Sequence, residues 1–313
     1  MKVLISDNLS PAGAKILQDA GLEVDIKTGL APEELKAIIG EYDGLVIRSA
    51  TKVTAEIIAA ADKLRVVGRA GIGLDNVDIP TASQKGIVVM NAPDGNATTA
   101  AEHAIAMMMS LSRNIPQATA SMKAGKWEKK SFMGRELTGK TLGVFGIGRI
   151  GAIAASRGQG LRMKTIAYDP HMPKELVEKL GVELVDLMEL ARRSDYITVH
   201  VPLTKETNKV LSTEFFKNMK KDAMFIDCAR GGVCDEDALY QALVDGEIAG
   251  AALDVFAKEP TTLENCPLLG LKNFICTPHL GASTTEAQEN VALAIAQQVA
   301  DYLLKGTVTN AVN

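Results

Sequence analysis

Thr141–Gly151 reads TLGVFGIGRIG, and the fold turns on this stretch. Leu142, Val144 and Phe145 form a short apolar run suited to a buried strand. Gly146, Gly148 and Gly151 follow at the spacing G-x-G-x-x-G, and a plausible helix runs from Ile150 to Leu161. In a strand–turn–helix unit each glycine has its own task. Gly146 permits the tight turn, Gly148 lets the backbone approach a pyrophosphate, and Gly151 lets the helix pack on the strand. The helix N-terminus offers N–H groups and partial positive charge to phosphates. A second apolar run, Thr165–Tyr168, ends in Asp169, eighteen positions after Gly151. A carboxylate there accepts from a ribose 2′-OH and repels a 2′-phosphate, which favours NAD over NADP. A glycine-rich turn followed by a surface aspartate is the competing reading. It does not explain why strand, glycines, helix and acid come in order.

The same alternation extends in both directions. Before the glycine turn, strands are expected at Lys2–Ser6, Leu22–Ile26, Gly44–Ile47, Arg65–Val67 and Ile87–Met90. Helices fall between them, one opening at Ser10-Pro11 with a capping side chain before a proline. Pro, Asp, Gly and Asn near Asn91–Asn96 make a break. Thr99-Ala-Ala-Glu102 reads as a capping box opening a long apolar helix through His103, Met107 and Leu111. A polar loop with Lys126, Trp127, Lys129, Lys130 and Phe132 then leads to the glycine turn. After Asp169, strands are expected at Glu183–Val185, Tyr196–Val199, Ala223–Ile226, Ala249–Leu253 and Asn273–Cys276. A last helix spans about Thr284–Leu304 and could lie on either array. The fold class is therefore α/β, with two doubly wound parallel-sheet (Rossmann-like) domains.

Composition bounds what such a chain does. Its 313 residues suit two domains, and 47% hydrophobic with 23% charged residues is ordinary for a soluble globular protein. A net charge of −4 gives no reason to expect nucleic-acid binding. No apolar run approaches a membrane span, and MKVLISDN reads as a first strand rather than a signal peptide. Cys228, Cys234, Cys266 and Cys276 lack metal-like spacing, so no metal is expected and reduced cytosolic thiols are the default.

Chemistry is expected in loops beyond the carboxyl ends of strands. Ile226-Asp227 runs into Cys228-Ala229-Arg230-Gly231-Gly232, where a planar guanidinium suits a carboxylate. On that feature alone a surface arginine in a turn would be the better reading. Leu253 runs into Asp254 and on to Glu259-Pro260, and Cys276 runs into Thr277-Pro278-His279-Leu280-Gly281. A histidine at a strand end suits proton transfer near neutral pH. Glu259 can orient it only where the two loops are adjacent. Arg48 and Arg69 each end a strand in the first block, and strand periodicity puts both at one edge of that sheet, as a doubly charged phosphate needs.

Taken together, Gly146–Gly151, Cys228–Gly232, Ala252-Leu-Asp-Val-Phe256, Glu259-Pro260 and Pro278-His-Leu-Gly-Ala282 resemble the D-isomer-specific 2-hydroxyacid dehydrogenases. Arg48–Thr54, Val67–Gly71, Leu74–Asp78, Ile115–Lys123 and Phe132-Met-Gly134 extend the resemblance to the whole chain. The resemblance implies NAD-dependent oxidation of a phosphorylated 2-hydroxy acid, 3-phospho-D-glycerate, at the entry to serine synthesis. It implies Arg230, Glu259 and His279 as catalytic residues. NAD would meet Gly146, Gly148, Arg149, Ile150, Gly151 and Asp169, with Val201, Pro202, Cys228, Ala229, Asp254, His279, Gly281 and Ala282 lining its pocket. Substrate would meet Arg48, Ser49, Arg69, Gly71, Ile72, Gly73, Arg230 and His279. Some relatives carry threonine at the place of Ile72, so a hydroxyl contact is lost there.

The resemblance also implies a substrate-binding domain of residues 1–96 and 284–313, an NAD-binding domain of residues 97–283, and a cytoplasmic homodimer formed through the NAD-binding domain. The loop with Lys129, Lys130 and Arg135 would reach a neighbouring subunit, or is a solvated charge run. Longer relatives continue into regulatory domains that bind serine, so the chain is expected to be a short form or a truncated piece. Two alternatives stand beside this. One is a sibling enzyme for an unphosphorylated acid such as glycerate, hydroxypyruvate or D-lactate. The other, much weaker, is a non-enzymatic NAD-sensing scaffold.

Overall fold

A computed structural model describes residues 1–313. In chain order the elements are β1 (Lys2–Ile5), α1 (Pro11–Asp19), β2 (Glu23–Ile26), α2 (Pro32–Ile38), β3 (Gly44–Ile47), α3 (Ala55–Ala60), β4 (Val66–Arg69), α4 (Ile79–Gln84), β5 (Val88–Asn91) and α5 (Ala97–Ser112). Then come α6 (Ile115–Lys123), β6 (Thr141–Phe145), α7 (Arg149–Gly160), β7 (Lys164–Tyr168), α8 (Lys174–Lys179), β8 (Glu183–Leu184), α9 (Leu187–Arg193) and β9 (Tyr196–Val199). The chain closes with α10 (Thr213–Asn218), β10 (Met224–Asp227), α11 (Glu236–Val244), β11 (Gly250–Leu253), β12 (Phe274–Cys276) and α12 (Thr285–Lys305). Two compact units result, Met1–Ala97 with Ala282–Asn313, and Thr98–Gly281.

The first unit holds a five-stranded parallel sheet in the order β2-β1-β3-β4-β5. Its inner strands are near-continuous apolar runs, as burial on both faces demands, whereas edge strand β2 (EVDI) has no buried residue. Val3, Leu4, Leu45, Val46, Val66 and Val67 are all fully buried. One face is covered by α1 and α12, the other by Leu35, Ile39, Ile57 and Ile58. The last helix thus belongs to this unit. It lies so close to the sheet that a Cβ on Gly68 of β4 would come within 2.6 Å of Val299 Cγ2 and 2.8 Å of Ile295 Cγ1. Pairing of Ile47 with Arg69, and of Arg69 with Asn91, brings the carboxyl ends of β3, β4 and β5 to one level.

The second unit holds a seven-stranded parallel sheet in the order β12-β11-β10-β9-β6-β7-β8. From β6 the chain builds outward through β7 and β8, then returns to β9 on the other side of β6. The order therefore reverses at the glycine turn, the place where open α/β sheets bind ligands. Asp227 pairs with Leu253 and Leu253 with Cys276, so the loops after β10, β11 and β12 rise from the same level.

Two local expectations are corrected, and one helix is added. Thr99 is not an N-cap, because α5 starts at Ala97 and Thr99 lies inside its first turn. Glu102 instead reaches Arg157 of α7 at 3.0 Å. Ser10 does precede a helix with proline at its first position, but its side chain makes no capping bond. The stretch between α5 and β6 is not all loop. It contains α6, none of whose residues is buried. Without a buried face, α6 lacks the apolar periodicity on which a sequence reading relies.

Candidate active site

The glycine turn shows three different steric situations. Gly146 has φ +89°, and a Cβ there would sit 2.5 Å from Val201 Cγ1 and 2.8 Å from the His200 carbonyl. Only glycine adopts that conformation at so little cost in so tight a place. A Cβ on Gly151 would fall 1.9 Å from the Gly146 carbonyl oxygen, so the start of α7 rests directly on the turn. A Cβ on Gly148 would meet nothing within 4 Å. That backbone faces open space at the N-terminus of a twelve-residue helix, where a pyrophosphate would lie. Asp169, beyond the tip of β7, accepts from Ile147 N–H at 3.0 Å and His171 N–H at 2.9 Å. The acid expected at a ribose therefore also ties its loop to the glycine turn. These residues fit a dinucleotide: room at Gly148, helix dipole behind it, and a carboxylate alongside.

The three loops after β10, β11 and β12 meet through named contacts. A Cβ on Gly231 would lie 1.9 Å from the Phe256 carbonyl oxygen, so the loop carrying Arg230 touches the loop after β11. Asp227 accepts from Ala229 N–H at 2.8 Å, and Arg230 Nη1 donates to the Ala229 carbonyl at 2.6 Å. Glu259 accepts from Phe256 N–H at 3.0 Å through Oε1, and its Oε2 lies 2.9 Å from His279 Nδ1. The two loops that had to be adjacent are adjacent. With Nδ1 engaged by a carboxylate, His279 presents Nε2 for proton transfer. His279 keeps 49% of its side chain exposed and sits at φ +56°, its N–H donating to the Asp254 carbonyl at 2.9 Å.

His200 does not compete for that role. Burial pushes His200 down to about 4, so its ring stays neutral. It lies 3.0 Å from Thr198 Oγ1. Asp254 is fully buried and accepts from Leu280 N–H at 2.7 Å and Gly281 N–H at 2.8 Å. Burial pushes its carboxyl up, yet hydrogen bonds from His103, Thr277, Leu280 and Gly281 outweigh that and hold it below the ordinary carboxylate range.

In the first unit Arg48 follows β3 and Arg69 ends the neighbouring β4, where it pairs with Ile47, and Arg48 Nη1 donates to the Asn8 carbonyl at 3.3 Å. A Cβ on Gly71, at φ +142°, would lie within 2.8 Å of Arg69 Cζ, so the glycine makes room for that guanidinium. Asn91 Nδ2 donates to the Ile72 carbonyl at 2.7 Å, fixing the Gly71–Gly73 loop. The Arg48–Thr51 loop is clamped from two sides. Asp7 accepts from Arg48 N–H at 2.6 Å and from Thr51 N–H at 3.1 Å, while Asn76 Nδ2 donates to the carbonyls of Arg48 at 2.7 Å and Thr51 at 2.6 Å. Sequence reading passed over Asp7, Asn76 and Asn91. The available signal was position, since Asp7 and Asn91 lie at carboxyl ends of strands. Pro202 and Ala282 are placed without a partner that would assign them a role: the Pro202 carbonyl accepts from Thr207 Oγ1 at 2.7 Å, and Ala282 falls in the first unit.

A reversing parallel sheet, a glycine turn open at its second glycine, and a paired acid beyond the next strand define a dinucleotide-binding α/β protein. Residues 105–281 match the model of the D-isomer specific 2-hydroxyacid dehydrogenase, NAD binding domain, and the chain belongs to that family. A D-3-phosphoglycerate dehydrogenase of Archaeoglobus fulgidus is 50% identical over 313 residues, covering 100% of this chain and 59% of its own length. This chain thus spans about three-fifths of the curated relatives it matches. Among solved structures, a protein from Thermus thermophilus superposes with TM-score 0.91 at 31% identity, with 100% of both chains covered. A cofactor(NAD+)-bound 3-phosphoglycerate dehydrogenase of Entamoeba histolytica superposes with TM-score 0.85 at 31% identity, with 100% of this chain and 98% of that one covered.

Proposed function

We propose that this chain carries the NAD-dependent oxidation of 3-phospho-D-glycerate to 3-phosphooxypyruvate, the first step of serine synthesis by the phosphorylated route. The observation that carries it is the His279–Glu259 pair at 2.9 Å, on loops that rise beside the one carrying Arg230. Gly146, Gly148, Ile150, Gly151 and Asp169 would hold the dinucleotide, which would supply the acceptor for the hydride of substrate C2. Arg230 fixes the substrate carboxylate with its planar fork. His279 Nε2 takes the hydroxyl proton, and Glu259 on Nδ1 stabilises the imidazolium that results. Arg48 and Arg69, at the carboxyl ends of the neighbouring strands β3 and β4, bind the phosphate. Curated relatives at about half identity over this whole chain support that substrate.

The proposal extends to a homodimer formed through the second unit. Ile115 and Met122 of α6 are 50% and 54% exposed, and Trp127 and Met133 beyond it are 80% and 86% exposed. Large apolar side chains concentrated on one segment mark an interaction surface. No helix is long and apolar enough to cross a membrane, and four unpaired cysteines suit a cytoplasmic enzyme.

Arg48→Ala and Arg69→Ala test the phosphate assignment. Each is expected to raise KM for 3-phosphoglycerate at least tenfold, with KM for NAD unchanged. Unaltered kinetics in both would instead favour an unphosphorylated 2-hydroxy acid. His279→Ala should lower kcat by ~10²–10⁴.

A further inference from the structure

His103 stands on α5, and the reaction described above assigns it nothing. Its side chain is 20% exposed, and its Nε2 lies 2.9 Å from Thr277 Oγ1 and 3.3 Å from Asp254 Oδ1. The proton inventory of this trio fixes the direction of each bond. Asp254 is ionised and can only accept. The Thr277 hydroxyl donates its single proton to Asp254 Oδ1 at 2.5 Å, so its oxygen has only lone pairs left for His103. Nε2 of His103 therefore carries a hydrogen and donates, to Thr277 first and to Asp254 second.

What Asp254 and Thr277 hold is the segment bearing His279. Thr277 N–H bonds the Leu253 carbonyl, His279 N–H bonds the Asp254 carbonyl, and both Asp254 oxygens take the N–H groups of Leu280 and Gly281. His279 itself sits in the left-handed region at φ +56°, a conformation that a non-glycine residue keeps only when its surroundings enforce it. The enforcing groups converge on one buried carboxylate. Helix α5 contributes two side chains to that set, His103 by its Nε2–H and Met107 by a weak contact of its Sδ with Thr277 Oγ1 at 3.9 Å, and of the two only His103 donates a hydrogen bond.

We propose that His103 is a positioning residue for the reaction: through its Nε2–H bonds to Thr277 and Asp254 it anchors the Thr277–Gly281 segment to α5 and so fixes His279 where it exchanges its proton. Its bonds run to Thr277 and Asp254, so it acts through them rather than on the reacting atoms. The proposal rests on His279 as the acid/base, and it adds a residue to that function rather than restating it.

Steady-state kinetics on His103→Leu and His103→Gln test this. Leucine fills the space without a donor. The glutamine amide nitrogen can stand where Nε2 stands and donate in its place. His103→Leu is expected to lower kcat by about 10- to 100-fold, the order expected when a reacting group is misplaced by about an ångström. KM for 3-phosphoglycerate and for NAD should stay within about twofold, and His103→Gln should restore most of kcat. Thr277→Val should reproduce the defect, and adding His103→Leu to it should cost little more, since the two share one bond. Should His103→Leu not fold, Thr277→Val against Thr277→Ser carries the same comparison. A kcat near wild type in His103→Leu or Thr277→Val, or an equal loss in His103→Gln and His103→Leu, overturns the proposal. His103 being merely structural would lower the melting temperature without separating kcat from KM. Wild-type kcat in His279→Ala would overturn the acid/base assignment itself, independently of the His103 result.

Discussion

Asp227 is a buried carboxylic acid with a measurable signature. Burial pushes it up to about 7, against the Ala229 and Arg230 N–H groups and the Arg230 charge, which favour its ionised form. An unfolded aspartate titrates near about 3.9. Between those values the folded chain binds more protons than the unfolded one, so stability falls as pH rises. This contribution is complete below about pH 4 and lost above about pH 7. Asp227→Asn keeps an acceptor for Ala229 N–H and has no proton to lose. From about pH 4 to about pH 8, denaturant melts should show wild type losing roughly 2–4 kcal/mol relative to Asp227→Asn. Parallel stability curves would contradict this. At this scale the sequence reveals identity and position but not partnership. Arg230, Glu259 and His279 stood out because each follows a strand and chemistry needs such types. His103 lay hidden in an apolar helix, because its partners come from positions 254 and 277.

Among the elements, the glycine turn permits the sharpest separation of folding from binding. Gly148 has an ordinary φ of −67° and open space around a Cβ, whereas Gly151 abuts a carbonyl at 1.9 Å. Gly148→Ala is expected to fold with a melting temperature at or slightly above wild type, since Gly→Ala at a compatible site stabilises by about 0.4–1 kcal/mol. Its affinity for NAD, measured by fluorescence titration, should fall at least tenfold. Gly151→Ala should lose about 2–4 kcal/mol of stability, because backbone must move. If Gly148→Ala instead binds NAD normally, the pyrophosphate does not lie there. This turn was legible because two of its glycines, Gly146 and Gly151, are dictated by local sterics. So were β3 and β9, whose apolar runs are bounded by turn residues. The start of α1 was read correctly but its cap was not, and the start of α5 was misplaced, because a cap motif records only what a side chain could bond. In α1 the Ser10 side chain makes no capping bond, and in α5 the helix had begun two residues before Thr99. Exposed α6 was missed because no core stamps a period on it.

For the whole molecule, alternating strands and helices gave away two parallel sheets, while the home of α12 could not be read from periodicity. Its buried stripe of Val291, Ile295, Val299 and Leu303 would suit any sheet. Only the close fit to Gly68 and α1 assigns it to the first unit. The proposed dimer has its own test. Replacing Met122 and Trp127 with glutamate puts charge on the exposed apolar segment, and sedimentation should then report monomers where wild type gives dimers. A mutant that stays dimeric would place the interface elsewhere. The substrate assignment is decided by NADH absorbance with purified wild type and His279→Ala, offered 3-phospho-D-glycerate, D-glycerate and D-lactate in turn. Turnover of the phosphorylated acid, at least tenfold above the others in kcat/KM and abolished in His279→Ala, is the expected result. NADH formed equally well from the unphosphorylated acids, or undiminished without His279, would contradict it.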